Sequence, residues 1–376
     1  MTDEARRDAL TVARERVVLV KVALCGAAEE EDPLAELRRL TEAARGVVVG
    51  TVVQNRRAVD ASLYVGRGKA EEIRRLARAR RADAVIFDND LSPAQVRNLE
   101  KVVETKVLDR TELILDIFAS RARTAEARLQ VELAQLEYSY PRLRRMWTHL
   151  SRLVGGGIGL RGPGETQLET DRRLVRNRIG DLRRRIRAIE LRRERQVKSR
   201  AGEFAVSLVG YTNAGKSSLL NALTSDNAYV ADKLFATLDT RTRTWMLPHN
   251  LRVLLSDTVG FIRGLPHHLV SSFRATLEEA RHADLLLHVI DVSARDVEAQ
   301  MEAVSAVLKE IGCGDRPVLP VFNKIDLLAE DSDRLRVLSY RHPGAVAVSA
   351  ATGAGLEALR GRVLETLGGP VREVTI

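Results

Sequence analysis

Gly210-Tyr211-Thr212-Asn213-Ala214-Gly215-Lys216-Ser217 carries two glycines, a lysine and a hydroxyl in the spacing that holds a nucleotide's phosphate chain. Glycines at the first and sixth positions let backbone N–H groups converge on phosphate oxygens that a Cβ would keep at a distance. Lys216 brings a point charge to the β- and γ-phosphates, and Ser217 offers its hydroxyl to Mg²⁺. The apolar run FAVSLV precedes the segment and the helical pattern SLLNAL follows it, so the phosphates would meet the N-terminus of a helix. The chemistry this frame serves is phosphoryl transfer, which depends on positioning and electrostatics.

Three further segments complete a guanine-nucleotide site. Asp257-Thr258-Val259-Gly260 follows the strand-like RVLLS, so Asp257 is placed to hold Mg²⁺ through water and Gly260 to offer its N–H to a γ-phosphate. Asn323-Lys324-Ile325-Asp326 ends the strand-like PVLPVF. Asp326 can accept from N1 and from the exocyclic amino group of guanine together; adenine offers neither donor. A site built on buried hydrogen bonds rejects an analogue lacking them by roughly 10⁴–10⁵. Ser349-Ala350-Ala351 at the last strand end closes the base pocket through backbone N–H groups. The expected ligands are therefore GTP and GDP, with Mg²⁺. Between the phosphate-loop helix and the next strand lies Phe235-Ala236-Thr237-Leu238-Asp239-Thr240, where a threonine can ligate Mg²⁺ only while the γ-phosphate is present. Thr237 and Thr240 both qualify by position. Many GTPases place a glutamine after the glycine of the second switch to orient the attacking water; here that residue is Phe261, so intrinsic hydrolysis is expected to be slow until a partner orders the switches. Arg241, Arg243 and Arg263 flank the switches and read better as surface charges than as arginine fingers, and His267 and His268 as surface residues of the second switch.

The elements that must position these groups alternate strand and helix over residues 203–368, the pattern of a mainly parallel sheet wrapped by helices. Residues 1–119 repeat the alternation in a small α/β domain, with strands over 16–24, 47–54 and 84–88 and helices over 33–45, 69–81 and 93–104. Gly66-Arg67-Gly68-Lys69 in this domain resembles a phosphate loop but is too short for one, and reads as a tight turn capping a helix. Residues 120–200 change character. Leu129, Leu133, Leu136, Tyr140, Leu143, Trp147 and Leu150, and then Leu168, Val175, Ile179, Leu182, Ile186 and Ile189, mark two heptad seams. Two such helices of about 25 residues, roughly 35 Å each, should pair antiparallel, with Pro141 kinking the first. The Gly155–Gly164 stretch between them lacks a Lys-Ser/Thr ending and follows no strand, so it reads as the hairpin tip, with Glu165 and Thr166 placed to cap the second helix. The expected division is an N-terminal domain over 1–119, a helical hairpin over 120–200 and a G domain over 201–376.

Charge assigns the hairpin a partner. Residues 121–200 hold 21 Lys/Arg and 9 Asp/Glu, a net +12, while the whole chain carries +9, so the remainder is slightly acidic. Charge concentrated this way is the footprint of a polyanion-binding surface, with Arg152, Arg161, Arg172 and Arg173 flanking the tip. It argues against a protein-binding signalling switch, because nucleic-acid affinity should fall steeply with salt. Cys25 and Cys313 are too few for a disulfide framework or a zinc cluster. The polar start MTDEARRDAL is unlike a signal peptide, and no apolar run approaches the ~20 residues of a membrane span. A cytoplasmic monomer is expected.

The chain resembles the HflX-type GTPases, ribosome-associated members of the translation-factor class of P-loop GTPases. The resemblance is carried over nearly its whole length by GYTNAGKSSL, FATLD, DTVGFI with LPHHLV, and NKID, and outside the G domain by YVGRGKAEEI, ARLQVELAQL and GGGIGLRGPGETQLE. It implies Thr237 as the switch ligand of Mg²⁺, so that Ser217, Thr237 and Asp257 form the metal set and Lys216, Thr237 and Gly260 the catalytic set. Thr240 departs from the family's usual proline. Asn213 stands where several related GTPases help to hold K⁺. The resemblance further implies binding to the large ribosomal subunit and its rRNA, with splitting of stalled or stressed 70S ribosomes. Large-subunit assembly is the alternative with the same chemistry. A reading from another class is ATP-driven RNA remodelling through the N-terminal domain, with a second nucleotide near Gly66–Lys69.

Overall fold

A computed structural model describes residues 15–24, 32–144, 167–199, 203–224, 235, 241–263, 279–329 and 333–368. In the N-terminal domain the β-branched runs become a four-stranded parallel sheet. Its elements are β1 (Arg16–Leu24), α1 (Ala35–Ala43), β2 (Val47–Arg56), α2 (Arg67–Arg80), β3 (Ala84–Phe87), α3 (Pro93–Val103), β4 (Lys106–Asp109) and α4 (Arg110–Arg121), with strand order β2-β1-β3-β4. Val17–Val20 and Ala84–Phe87 are wholly buried, as central parallel strands covered on both faces must be. Ser92 and Gln95 cap α3 reciprocally, with Pro93 at its first position, where a missing N–H costs least. Gly66 caps α2, and Lys69, already inside the helix, pairs with Glu72 at 2.7 Å; the segment is a helix start.

The helical segment comprises α5 (Ala125–Ser139), a 3₁₀ turn over Tyr140–Arg144, and α6 (Gln167–Ser199). Among the described residues the two α-helices are unequal, 15 and 33 residues rather than two of similar length. The α-helix stops at Ser139, two residues before Pro141, and passes into the 3₁₀ turn rather than continuing through a kink there. The C-terminal end of the first arm meets the N-terminal part of the second: the Tyr140 ring centre lies 5.4 Å from the Arg172 guanidinium and the Tyr140 hydroxyl accepts from Arg176 at 2.8 Å, which is antiparallel pairing. Glu132–Arg178 and Glu137–Arg183 ion pairs flank the seam at 2.7 and 2.8 Å. On α6 the expected seam residues Val175, Ile179, Leu182 and Ile186 are buried. On α5 the heptad position Leu133 is buried and Leu129 and Leu136 are half-buried, and a neighbouring stripe of Ala127, Val131, Ala134 and Tyr138 is buried as well. Tyr138 faces the N-terminal domain, donating its hydroxyl to Asp109, which Arg142 also contacts at 3.0 Å. A second packing partner therefore widens the apolar face beyond a single seam. Trp147, Leu150, Arg152, the Gly155–Gly164 stretch, Arg161, Glu165 and Thr166 lie outside the described residues. The chain forms two compact units, 1–120 with 131–183 and 121–130 with 184–376, so the two arms are divided between them.

The G domain comprises β5 (Phe204–Gly210), α7 (Lys216–Thr224), β6 (Arg241–Met246), β7 (Arg252–Asp257), β8 (Leu285–Asp291), α8 (Val297–Glu310), β9 (Val318–Asn323), α9 (Arg334–Arg341), β10 (Val346–Ala347) and α10 (Leu356–Thr366). The strand order is β10-β9-β8-β5-β7-β6, parallel except for β6, which pairs antiparallel with β7. Central β5 and β8 supply Val206, Leu208, Leu285, Leu287 and Val289 to a core closed at the edge by the fully buried Trp245. Strand β6, RTRTWM, was not among the expected strands: charged and polar residues fill the edge, and only Trp245 is buried along it. Among the described residues no helix is long and apolar enough to cross a membrane.

Candidate functional site

The order β9-β8-β5-β7 brings the carboxyl ends of β5, β7 and β9 to one edge of the sheet, where α/β proteins place their ligands. The Gly210–Ser217 loop leaves β5 there and runs into α7. Gly210 must be glycine because a Cβ would stand 2.3 Å from the Val289 carbonyl oxygen. Gly215 has φ +90°, and a Cβ there would lie 2.3 Å from Asn323 Nδ2. Asn213 adopts φ +63°, a conformation asparagine tolerates, and its side chain is exposed.

Lys216 curls back over its own loop, donating to the Gly210 and Tyr211 carbonyls at 3.1 and 2.9 Å. Burial lowers its pKa to about 8, opposed in part by the charge of Asp257. Ser217 donates to Asp257 Oδ2 at 2.6 Å, bringing the end of β7 against the start of α7. Thr258 is tied to the Leu208 carbonyl at 2.6 Å and is wholly buried. Gly260 lies directly over the phosphate loop: a Cβ on it would approach Thr212 Cα at 2.9 Å and Lys216 Nζ at 3.0 Å. Phe261 is buried and pairs through its backbone with the loop, Phe261 N–H to Gly210 O at 3.0 Å and Thr212 N–H to Phe261 O at 2.7 Å. Val259 is buried beside them.

The end of β9 joins the third and fourth expected segments to the loop. Asn323 donates from Nδ2 to the Ala214 carbonyl at 2.9 Å and accepts at Oδ1 from the Ala350 N–H at 3.0 Å. Lys324 takes φ +66° and pairs with Asp291 at 2.7 Å, and Ile325 N–H reaches the Val348 carbonyl. Asp326 Oδ1 accepts from Ser349 Oγ at 2.5 Å, and Ser349 Oγ in turn accepts from the Thr352 N–H, so Ala350 and Ala351 sit in a turn fixed at both ends. The structure thus brings together the residues of 210–217, 257–261, 323–326 and 349–351. Phe235 is buried with φ +55°; Ala236, Thr237, Leu238, Asp239 and Thr240, and likewise His267 and His268, lie outside the described residues. Arg263 pairs with Asp296 at 2.9 Å, and Arg241 and Arg243 lie on edge strand β6.

Two features escaped sequence reasoning. His288 is buried in β8, its pKa lowered to about 4 first by burial and then by the charges of Lys216 and His342; nothing in LLLHVID marks it. The other is the side chain of Tyr211, a variable position of the phosphate-loop pattern, whose hydroxyl accepts the Arg263 N–H at 2.9 Å.

Comparison with known proteins matches these features in sequence and in fold. Family models described as GTP-binding GTPase N-terminal, GTP-binding GTPase Middle Region and 50S ribosome-binding GTPase match residues 31–119, 121–200 and 205–324. The GTPase HflX of Escherichia coli K12 is 49% identical over 366 residues, covering 97% of this chain and 85% of that protein. The GTPase HflX of Caldanaerobacter subterraneus is 49% identical over 319 residues, 84% of this chain and 74% of that one. Among solved structures, a complex of the protein SsGBP with GDP aligns with TM-score 0.50 and 26% identity over 94% of this chain and 98% of that one. With a phosphate-loop motif, the Ser217–Asp257 pair and an NKID loop in one cluster, and relatives of this identity over most of its length, the chain belongs to the HflX family of GTPases.

Proposed function

We propose that the cluster at Gly210–Ser217, Asp257–Gly260, Asn323–Asp326 and Ser349–Ala351 is the GTP site, and that GTP binding there gates docking of the protein on the large ribosomal subunit. The observation that carries the site assignment is Asn323, whose single amide fastens the phosphate loop to the Ser349–Ala351 turn. Its neighbour Asp326 is held by Ser349, leaving a carboxylate positioned for the two donors of guanine. Backbone N–H groups of residues 215–217 bind the phosphates, and Lys216 turns from its own loop carbonyls to the β/γ oxygens. Ser217 Oγ and Asp257 Oδ2, 2.6 Å apart, are hard oxygen donors suited to Mg²⁺, with Thr237 as the expected switch ligand. Bound Mg²⁺ would neutralise charge on the phosphates. Phe261 offers no group to orient water, so turnover depends on a partner; K⁺ beside Asn213 would add a positive charge to the same phosphates.

The large subunit as partner is supported by the family description over residues 205–324 and by the row of exposed arginines on α6, among them Arg173, Arg176, Arg184 and Arg185. Such a surface suits phosphate backbones and predicts steep salt dependence. Splitting of stalled 70S ribosomes is the reading we adopt, with the protein acting in the cytoplasm as a monomer. GTPase rate with and without purified large subunits tests it: stimulation is expected, and an unchanged rate overturns the proposal. Sucrose gradients with a non-hydrolysable GTP analogue separate splitting from subunit assembly, since association with precursor particles alone would establish the latter.

A further inference from the structure

We infer that Tyr211 is a positioning residue for GTP hydrolysis, its hydroxyl clasping the start of the second switch to the phosphate loop. Residues 260–263 do not hang free beyond β7. They run parallel to residues 210–212 as a short extension of the sheet: Phe261 gives its N–H to Gly210 and takes the Thr212 N–H. The next backbone donor along, Arg263 N–H, has moved past the end of that ladder, and the Tyr211 side chain reaches across to accept it at 2.9 Å. Tyr211 is buried, so its ring cannot swing away without opening the packing beneath it. The consequence falls on Gly260. It lies close against the loop, where a Cβ would meet Thr212 and Lys216 Nζ near 3 Å. Clasping residue 263 fixes the peptide that carries the Gly260 N–H at a set height above Lys216. Many GTPases put a side chain into catalysis at the position of Phe261. Here that side chain is buried apolar surface. The backbone geometry of the segment is what remains to meet the γ-phosphate, and Tyr211 sets it.

This inference rests on the assignment of the GTP site and specifies who holds its γ-phosphate side. Tyr211→Phe keeps the ring and removes the hydroxyl that accepts the Arg263 N–H. In the full-length protein we expect faster amide hydrogen exchange over residues 261–263. We also expect kcat for GTP to fall about three- to tenfold, the effect of one buried hydrogen bond. Affinity for a non-hydrolysable GTP analogue should weaken by a similar factor while GDP affinity holds, because GDP lacks the phosphate that Gly260 faces. A purely structural tyrosine would weaken both nucleotides alike, and that equal loss, or unchanged kcat and exchange, overturns the inference. Lys216→Ala measured in parallel separates the two levels: if it binds GDP like the wild type, the site assignment itself is wrong and the inference falls with it.

Discussion

Replacing Asn323 by alanine puts the joint between phosphate loop and base pocket to a quantitative test. The side chain is 1% exposed and makes two hydrogen bonds, to the Ala214 carbonyl at 2.9 Å and from the Ala350 N–H at 3.0 Å. Truncation leaves a buried carbonyl and a partly buried N–H without their partner, and each such loss costs about 1–1.5 kcal/mol. Ala350 is half-buried, so water can replace part of its bond. The sum is about 2 kcal/mol, a factor of roughly thirty if all of it falls on the nucleotide-bound form. Both bonds lie within the G domain itself, so the loss should divide between thermal stability, a few degrees in Tm, and GDP affinity. Fluorescent-GDP dissociation and calorimetric melting measure the two parts. Asn323→Asp gives an internal control: it keeps the acceptor for Ala350 but sets a carboxylate oxygen against the Ala214 carbonyl, and should be at least as damaging as alanine. Wild-type Tm and GDP release in both variants would refute the claim that this amide assembles the site.

Asp326→Asn should lose GTP affinity and gain affinity for xanthosine triphosphate, whose C2 carbonyl accepts from an amide; a variant still selective for GTP in competition binding would contradict the base-pocket assignment. His288 is held neutral by burial and by its cationic neighbours, with a folded pKa of about 4 against 6.5 unfolded. Its contribution is therefore present above pH 6.5 and lost as pH falls toward 4, at most about 3 kcal/mol. His288→Leu should flatten that part of the stability profile in denaturant melts, and identical pH slopes would exclude His288 as its source. GTP hydrolysis should be faster in KCl than in NaCl at equal ionic strength, and equal rates would remove Asn213 from potassium binding. Neutralising Arg152, Arg161, Arg172 and Arg173 together should weaken large-subunit binding and its salt dependence without changing GTP affinity; loss of GTP affinity would mean the glycine stretch was misplaced.

What was legible in the sequence follows from how local each signal is. The strands over 16–24 and 84–88 and the helix opened by Ser92-Pro93 could be read because burial on both faces and capping are written in consecutive residues. The four segments proposed to hold the nucleotide were read for the same reason: each is a short string whose spacing matches phosphate or base geometry. What was not legible depends on contacts between distant residues. Strand β4, KVLD, opens on a lysine and closes on an aspartate, so no apolar run marks it as AVIF marks β3, and α4, RTELILDIFASR, buries Leu113, Ile114, Leu115, Ile117 and Phe118 around most of its circumference. Edge strand β6 exists because β7 offers it a ladder, not because RTRTWM prefers one. The apolar face of α5 is wider than one seam because Tyr138 answers to Asp109, a carboxylate 29 residues away, as well as to the helix beside it. Tyr211 shows the limit most sharply. Its position in the phosphate-loop pattern accepts any residue, so the pattern says nothing of its side chain. Only the parallel run of residues 261–263 beside it, 52 residues on at Arg263, gives that hydroxyl something to hold. Patterns that recur across nucleotide sites report what the ligand demands of the backbone. The residues that set how a particular site moves lie in the unconstrained positions between them, and are found by asking where each buried polar atom is satisfied.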